Sequence, residues 1–213
     1  MRHESAMESF RPQLNRIEAA LSGVSNIAPS SDFDLNHDYG KAGANTLTDA
    51  AVLIPITKGP RGLEVIFTKR SQKMRNHPGQ ISFPGGKADA SDTSTEYTAL
   101  RETHEEIGLH PDSIQIIGAL PKHETVTAFL VHPYVGLVPE DAMPKALTGE
   151  VSEVFSAPLD HLLNPANYQI EGRMWQGQAR RYFSVPYGPY YIWGATARMM
   201  RMFTEIMETH DEG

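Results

Sequence analysis

The sequence predicts an α/β domain in which a sheet is layered against helices. Two observations predict it. Short runs rich in Val, Ile, Leu and Phe fill the middle of the chain, at Ala50–Ile56, Leu63–Phe67, Ile114–Leu120 and Phe129–Val138, and these read as strands. Segments with apolar residues three and four positions apart lie before, between and after them, which is helical spacing. Strands with helices between and after them indicate an α/β layered fold.

From about Ser5 to Leu21, the recurrence of Phe10, Leu14, Ile17 and Leu21 predicts an amphipathic helix. Gly23 to Asn45 is rich in Ser, Asn, Asp and Gly and reads as a linker. Residues 1–45 are therefore expected to form an arm that packs on the domain or on a partner subunit. Ala50–Ile56 and Leu63–Phe67 are joined by the turn Lys58-Gly59-Pro60-Arg61-Gly62, and Arg70 to Gln80 is polar and loop-like. Phe83-Pro84-Gly85-Gly86 is expected to turn, and its paired glycines let the backbone approach a ligand or metal closely. Thr93-Ser94-Thr95-Glu96 fits a capping box with Thr93 as N-cap. Gly108 fits the left-handed position that ends the helix, and Pro111 bars its continuation.

After the strand Ile114–Leu120, Lys122 to Thr127 reads as a polar loop, and Pro139 to Gly149 as another. Val151 to Leu163 has helical spacing at Val151, Val154, Phe155, Leu159 and Leu162, with a break at Pro158. Tyr168 to Val185 alternates as a hairpin around Gly172 or Gln176-Gly177. Tyr190 to Met207 is a closing helix with Ile192, Ala195, Met199, Met202 and Ile206 on one side. The main domain is expected to span residues 46–208, followed by a polar tail at 209–213.

Composition narrows the function classes. The net charge is −7, which makes polyanionic nucleic acid a poor partner. No apolar run approaches the roughly 20 residues that span a membrane, and the N-terminus lacks a signal-peptide core. Cysteine is absent, which removes disulfides and thiolate-held metals. The expected location is the cytoplasm, with no membrane partner. The apolar sides of the first and last helices are expected to meet in a homodimer, because C2 dimers are the commonest soluble oligomers.

The chemistry concentrates in Arg101-Glu102-Thr103-His104-Glu105-Glu106-Ile107-Gly108. Glu102, Glu105 and Glu106 share one side of a helix within roughly a 100° arc. Tyr97, Leu100 and Ile107 fall on the opposite side with His104, and that side is expected to pack. Like charges so spaced destabilise an isolated helix. A hard divalent cation such as Mg²⁺ or Mn²⁺ gives a reason to accept that cost. Glu102 and Glu106 stack one turn apart and can bind a metal, while Glu105 can take a second ion or orient a water. Arg101 is expected to orient a glutamate through a charge-assisted bond. Arg70 and Arg75 are candidates to hold substrate phosphates, with Ser71, Gln80 and Ser82 ordering their loop. A solvated acidic face would show the same charge pattern, and surface ion pairs would equally occupy the arginines. His104 reads as structural. No His-Glu-x-x-His motif occurs, and Gly85-Gly86-Lys87-Ala88 lacks P-loop spacing.

The stretch from Gly86 to Leu109 resembles the Nudix box, G-x5-E-x7-R-E-U-x-E-E-x-G-U, where U is bulky and apolar. Gly86, Arg101, Glu102, Glu105, Glu106, Gly108 and Leu109 match. Asp92 stands at the first Glu position, eight residues rather than seven separate it from Arg101, and Thr103 occupies a U position. Upstream, Phe67-Thr68-Lys69-Arg70-Ser71, then Arg75, Gly79 and Phe83-Pro84-Gly85-Gly86, each separated by three residues, resemble an added signature. It is that of coenzyme A pyrophosphatases, roughly L-L-T-x-R-S-x3-R-x3-G-x3-F-P-G-G, with Ile66-Phe67 for the leading pair. Asp89, Asp92 and the extra residue before Arg101 look like this subfamily's variant of the box. Together the motifs cover about a fifth of the chain, and a looser resemblance runs from about Ala50 to Met202.

The resemblance implies a Nudix-type α/β/α sandwich with a mixed sheet. It implies Mg²⁺ or Mn²⁺ held by Glu102, Glu105 and Glu106, with a carbonyl from Gly86, and catalysis by these glutamates with Arg101. It implies a substrate site at Arg70, Ser71 and Arg75, where at least one arginine is expected to contact a 3′-phosphate. The implied reaction is attack of water on the diphosphate of coenzyme A or its acyl esters. The products are 3′,5′-ADP and 4′-phosphopantetheine or its acyl form. The alternatives are a Nudix hydrolase for a dinucleotide or ADP-sugar, and a non-catalytic metabolite-binding regulator, against which the intact glutamate cluster argues. Glu124, Glu150 and Glu153 are candidates for a distal base or ligand, and the sequence does not select among them.

Overall fold

The computed structural model describes residues 8–24, 27–36, 47–74, 77–175 and 177–212. Arg75, the start of the N-terminal helix and part of the Gly23–Asn45 segment lie outside the described residues. Helix α1 (Arg11–Ser22) buries Leu14, Ile17, Ala20 and Leu21. Strand β1 (Ser30–Ser31) lies within the expected linker. Strands β2 (Thr48–Gly59) and β3 (Gly62–Arg70) form a hairpin with Gly59 opposite Gly62, tighter than the expected five-residue turn.

That hairpin stays closed only near its turn, from Ile56↔Val65 to Gly59↔Gly62. Beyond it the strands part, and residues 81–87 fill the fork. Strand β4 (Ile81–Ser82) pairs with β3, and β5 (Gly85–Lys87) pairs with β2. Leu53 N–H donates to Pro84 O between them at 2.9 Å. The expected glycine turn is therefore partly a strand, because the opened fork offers it two edges of unpaired backbone groups.

Helix α2 (Thr95–Ile107) follows, then β6 (Gln115–Ala119), β7 (His123–Glu124) and β8 (Phe129–Leu137). The expected loop Lys122–Thr127 thus contains a short strand. Strand β8 runs parallel to β2 and antiparallel to β6 and β7, and β1 joins parallel to β7, so the sheet is mixed.

Val151 to Leu163 departs from the expected helix. It forms strand β9 (Val151–Pro158), antiparallel to β3, and a single helical turn, α3 (Leu159–Leu162). Val151, Val154 and Phe155 suit a pleated surface, and pairing with the free edge of β3 overrides the 3.6-residue spacing. The hairpin of β10 (Gln169–Trp175) and β11 (Gln178–Ser184) forms a separate sheet, turning at the second of the two expected places. The closing helix α4 (Ala195–Glu212) starts later than expected and runs into the expected polar tail. Tyr190 to Gly194 instead makes bridges with the segment that follows β11 and with β11 itself.

The core has two parts, one on each face of the sheet. Beneath α2 lie Ala51, Leu53, Ile66, Ala99, Ile107, Leu109, Ile114 and Val138. On the other face α1 and α4 pack over Ile54, Ile56, Val65, Phe67 and Val135. Met199, Met200, Met202, Phe203, Ile206 and Met207 of α4 are all buried there, each worth roughly 1.5–3 kcal/mol as a large apolar side chain. The apolar sides expected to meet a second subunit are covered within the chain, and Arg16 of α1 pairs with Asp211 of α4. Among the described residues no helix is long and apolar enough to cross a membrane.

Candidate active site

Helix α2 begins one residue later than the capping box placed it. Ser94 is the N-cap, with extended backbone, and its hydroxyl accepts from Tyr97 N–H at 3.0 Å. The helix ends on Gly108 at φ 76°, where glycine is favoured. Two carbonyls in its last turn are capped by the loop before β9. Lys145 N–H donates to Ile107 O at 3.1 Å, and Leu147 N–H to Glu106 O at 2.9 Å.

The packed side of α2 is rotated from the expected one. Thr98, Ala99, Thr103, Glu106 and Ile107 are buried, while Tyr97 is 47% exposed and His104 is exposed. Two of the glutamates therefore face the sheet. The glycine strand makes the room. A Cβ on Gly86 would fall 2.6–2.8 Å from the Glu102 carboxylate, and one on Gly85 would fall 2.3 Å from Ala51 O. Gly85 N–H also donates to Glu106 Oε2 at 3.2 Å. Thr103 tolerates burial at its apolar position because its hydroxyl donates to Ala99 O at 2.6 Å.

The three glutamates differ in setting. Glu106 is 8% exposed. The Glu102 side chain is 20% exposed, and that of Glu105 55%. Burial pushes the Glu106 carboxyl up to about 7; the Gly85 N–H pulls it down, Glu102 pushes it up, and more distantly Arg70 lowers it and Glu150 raises it. Burial also raises Glu102, against the opposing pull of Arg101. A carboxylate desolvated in this way regains stability from a nearby cation.

Arg101 joins the cluster to Asp92. Its Nε and Nη2 fork onto the two Asp92 oxygens, both at 2.9 Å, and Nη1 reaches Glu102 at 2.9 Å and Glu105 at 3.3 Å. Asp92 also accepts from Thr98 Oγ1 at 2.8 Å and Asp89 N–H at 3.0 Å. The guanidinium, with these donors, holds Asp92 far below the usual carboxylate range. Sequence reading left Asp92 without a role; here it anchors the arginine that holds Glu102. The aspartate at a glutamate position was its only signal.

On the sheet side, Arg70 ends β3 with Nη2 3.9 Å from Glu150 Oε2. Ser71 is buried, and its N–H donates to Glu150 O at 2.6 Å. Gln80 O accepts from Arg70 N–H, and Ser82 Oγ lies 3.1 Å from Thr68 Oγ1, so both residues hold the loop to β3. Of the three distal glutamates, Glu150 is the one whose charge acts on Glu106. Glu153 instead pairs with Lys69 at 3.6 Å and accepts from Tyr190 Oη, and Glu124 lies in β7 beside β1.

Among the described residues no three carboxylate or imidazole groups converge into a closed ligand set. Glu105 is turned out onto Arg101, leaving Glu102 and Glu106 against the glycine strand. One buried and one half-buried carboxylate beside a close backbone fit Mg²⁺ or Mn²⁺, since such ions take one or two carboxylates and fill the remaining positions with water and phosphate oxygens.

The model of the NUDIX domain matches residues 47–176. The chain belongs to the Nudix family. It is 42% identical over 153 residues to the uncharacterized Nudix hydrolase NudL of Enterobacter sp. strain 638, covering 71% of this chain and 79% of that one. It is 41% identical over the same length, with the same coverage, to the protein of that name from Escherichia coli O6:H1. A solved structure, the MutT protein from Methanosarcina mazei Go1, aligns with TM-score 0.45 and 20% identity over 78% of this chain and 93% of that one. The Nudix match runs from β2 through β10, while α1, β1, β11 and α4 lie outside it.

Proposed function

We propose that this Nudix hydrolase cleaves the diphosphate of coenzyme A or of acyl-coenzyme A, releasing 3′,5′-ADP and 4′-phosphopantetheine or its acyl form. The observation that carries this reading is the signature from Phe67 to Gly86, which begins in β3 and ends in the glycine strand under Glu102 and Glu106. Glu102 and Glu106, with the Gly86 carbonyl, would hold Mg²⁺ or Mn²⁺, and Glu105 would face a second ion or a water. A bound cation there neutralises diphosphate charge and lowers the pKa of the attacking water. Asp92 fixes Arg101, and Arg101 keeps Glu102 aimed at the site. Water adds its oxygen to one phosphorus, and the bridging oxygen leaves with the other phosphate. Glu150, near Arg70 at the edge of the site, would accept the proton that the water loses.

The test is product analysis by mass spectrometry with Mg²⁺ and with Mn²⁺. The panel is coenzyme A, an acyl ester, dephospho-coenzyme A, ADP-ribose and a dinucleoside diphosphate. The expected result is 3′,5′-ADP from coenzyme A at the highest kcat/KM of the panel. Faster cleavage of ADP-ribose or the dinucleotide would replace coenzyme A with that substrate. No cleavage of any member would favour a metabolite-binding regulator.

A further inference from the structure

Strands β3 and β9 pair in regular register from Glu64↔Pro158 to Lys69↔Glu153, then slip, so that Arg70 faces Val151. Ser152 is the extra residue. Such a bulge bends the strand that carries it, here β9, and sets Ser152 against the end of β3; bulges are over-represented beside active sites. Ser152 Oγ lies 3.0 Å from Lys69 O and 3.3 Å from Arg70 O, which clamps the slip. The Arg70 backbone is also held from the opposite side. Its N–H donates to Gln80 O at 2.9 Å, and its carbonyl accepts from Gly79 N–H at 3.2 Å.

The side chain so aimed is 26% exposed, enough for a ligand to reach. Its contact with Glu150, at 3.9 Å, is too long for a hydrogen bond. Among the described residues its buried Nε has no hydrogen-bond partner, and neither has the buried Thr148 Oγ1, on the turn that carries Glu150. Buried unpaired donors are rare in native proteins and point to a missing acceptor. The same turn ties this end of β3 to the glutamate helix, since Leu147 N–H donates to Glu106 O at 2.9 Å just before Thr148 and Glu150.

Resting on the diphosphatase reading above, we infer that Arg70 is a catalytic residue that holds an oxygen of the reacting diphosphate, and that Ser152 is the positioning residue that aims it. A planar guanidinium fork matches phosphoryl oxygens. The diphosphate must come to the carboxylates that gather the cation, and Arg70 borders them. Holding a phosphoryl oxygen would exchange the long contact with Glu150 for a short one, leaving the Glu150 carboxylate to take the water's proton. A donor aimed at charge that develops in the transition state raises turnover more than ground-state binding.

The experiment is steady-state kinetics on coenzyme A and dephospho-coenzyme A for wild type, Arg70→Ala, Arg70→Lys and Ser152→Ala. Arg70→Ala is expected to lower kcat about a hundredfold on both substrates, with their kcat/KM ratio kept within about threefold, and added guanidinium should restore part of the loss. Arg70→Lys, which keeps the charge if the alanine variant fails to fold, should fall between. Ser152→Ala should lower kcat about fivefold on both at nearly constant KM. An unchanged kcat in the Arg70 variants overturns the inference. So does a loss confined to KM for the 3′-phosphorylated substrate. If wild type cleaves neither compound but does cleave another diphosphate, the coenzyme A reading fails alone. Arg70 is then judged by the same kcat criterion on that substrate.

Discussion

The two sides of the site are assembled by opposite means. On one side a single helix carries Arg101, Glu102, Glu105 and Glu106, and its position is fixed by packing and by the glycine strand beneath it. On the other, Arg70 and Glu150 stand at the facing ends of two strands and meet only because β9 slips by one residue against β3. The helix side is a rigid block, in which neutralising one group should remove one function. The strand side depends on register, so a residue that touches no substrate can misplace one that does.

The largest effect is expected from the most buried member of the block. Glu106→Gln keeps the size and removes the charge, and should lower kcat by about a hundredfold or more at saturating metal. Full activity in that variant would remove Glu106 from the mechanism. Asp92→Asn should come next, since it loosens Arg101 without touching the cation site. Turnover should fall about tenfold with KM little changed, and a fall as deep as that of Glu106→Gln would mean that Asp92 does more than anchor.

A smaller effect follows from pH. In the metal-free protein Glu106 ionises at about 7 because burial disfavours its charge. Cation binding must displace the proton, so Mn²⁺ affinity should rise about tenfold from pH 6 to pH 8. The stability sign follows from the same shift. The folded-state value lies above the ordinary 4.5, so this group favours folding most at acid pH, and that contribution is lost as pH rises from 4.5 through 7. Thermal unfolding at pH 6 and pH 8 should show that loss without metal, and saturating Mn²⁺ should remove it. A Mn²⁺ affinity flat across this range would place the cation elsewhere.

The contrast between the two sides also explains what could be read from residues alone. The glutamate cluster and the ending of α2 on Gly108 were legible because everything they need lies within one helix. The direction the helix faces was not. Periodicity groups residues by side; Leu100 and Ile107 do pack as expected, but Tyr97 and His104 are exposed, and the bare backbone of Gly85 and Gly86 makes room for carboxylates. Thr93 and Ser94 are equally good caps by type, and only the backbone conformation at Ser94 separates them. Strand β9 is hidden from the sequence because Val151, Val154, Phe155, Leu159 and Leu162 satisfy a helical period, while the β3 edge that captures it lies far off in sequence. The sequence does not separate Glu150 from Glu124 and Glu153 for the same reason: the register of β9 on β3 brings Glu150 beside Arg70.

The central claim is that Glu102 and Glu106, set against the glycine strand, hold the first cation, while Glu105 stands outside that site. Calorimetric titration of Mn²⁺ into metal-free wild type, Glu102→Gln, Glu106→Gln and Glu105→Gln at pH 8 tests it directly. Affinity should fall about tenfold or more for Glu102→Gln and Glu106→Gln, and no more than about threefold for Glu105→Gln. Wild-type affinity in Glu106→Gln, or a loss in Glu105→Gln as large as in the other two, would contradict it.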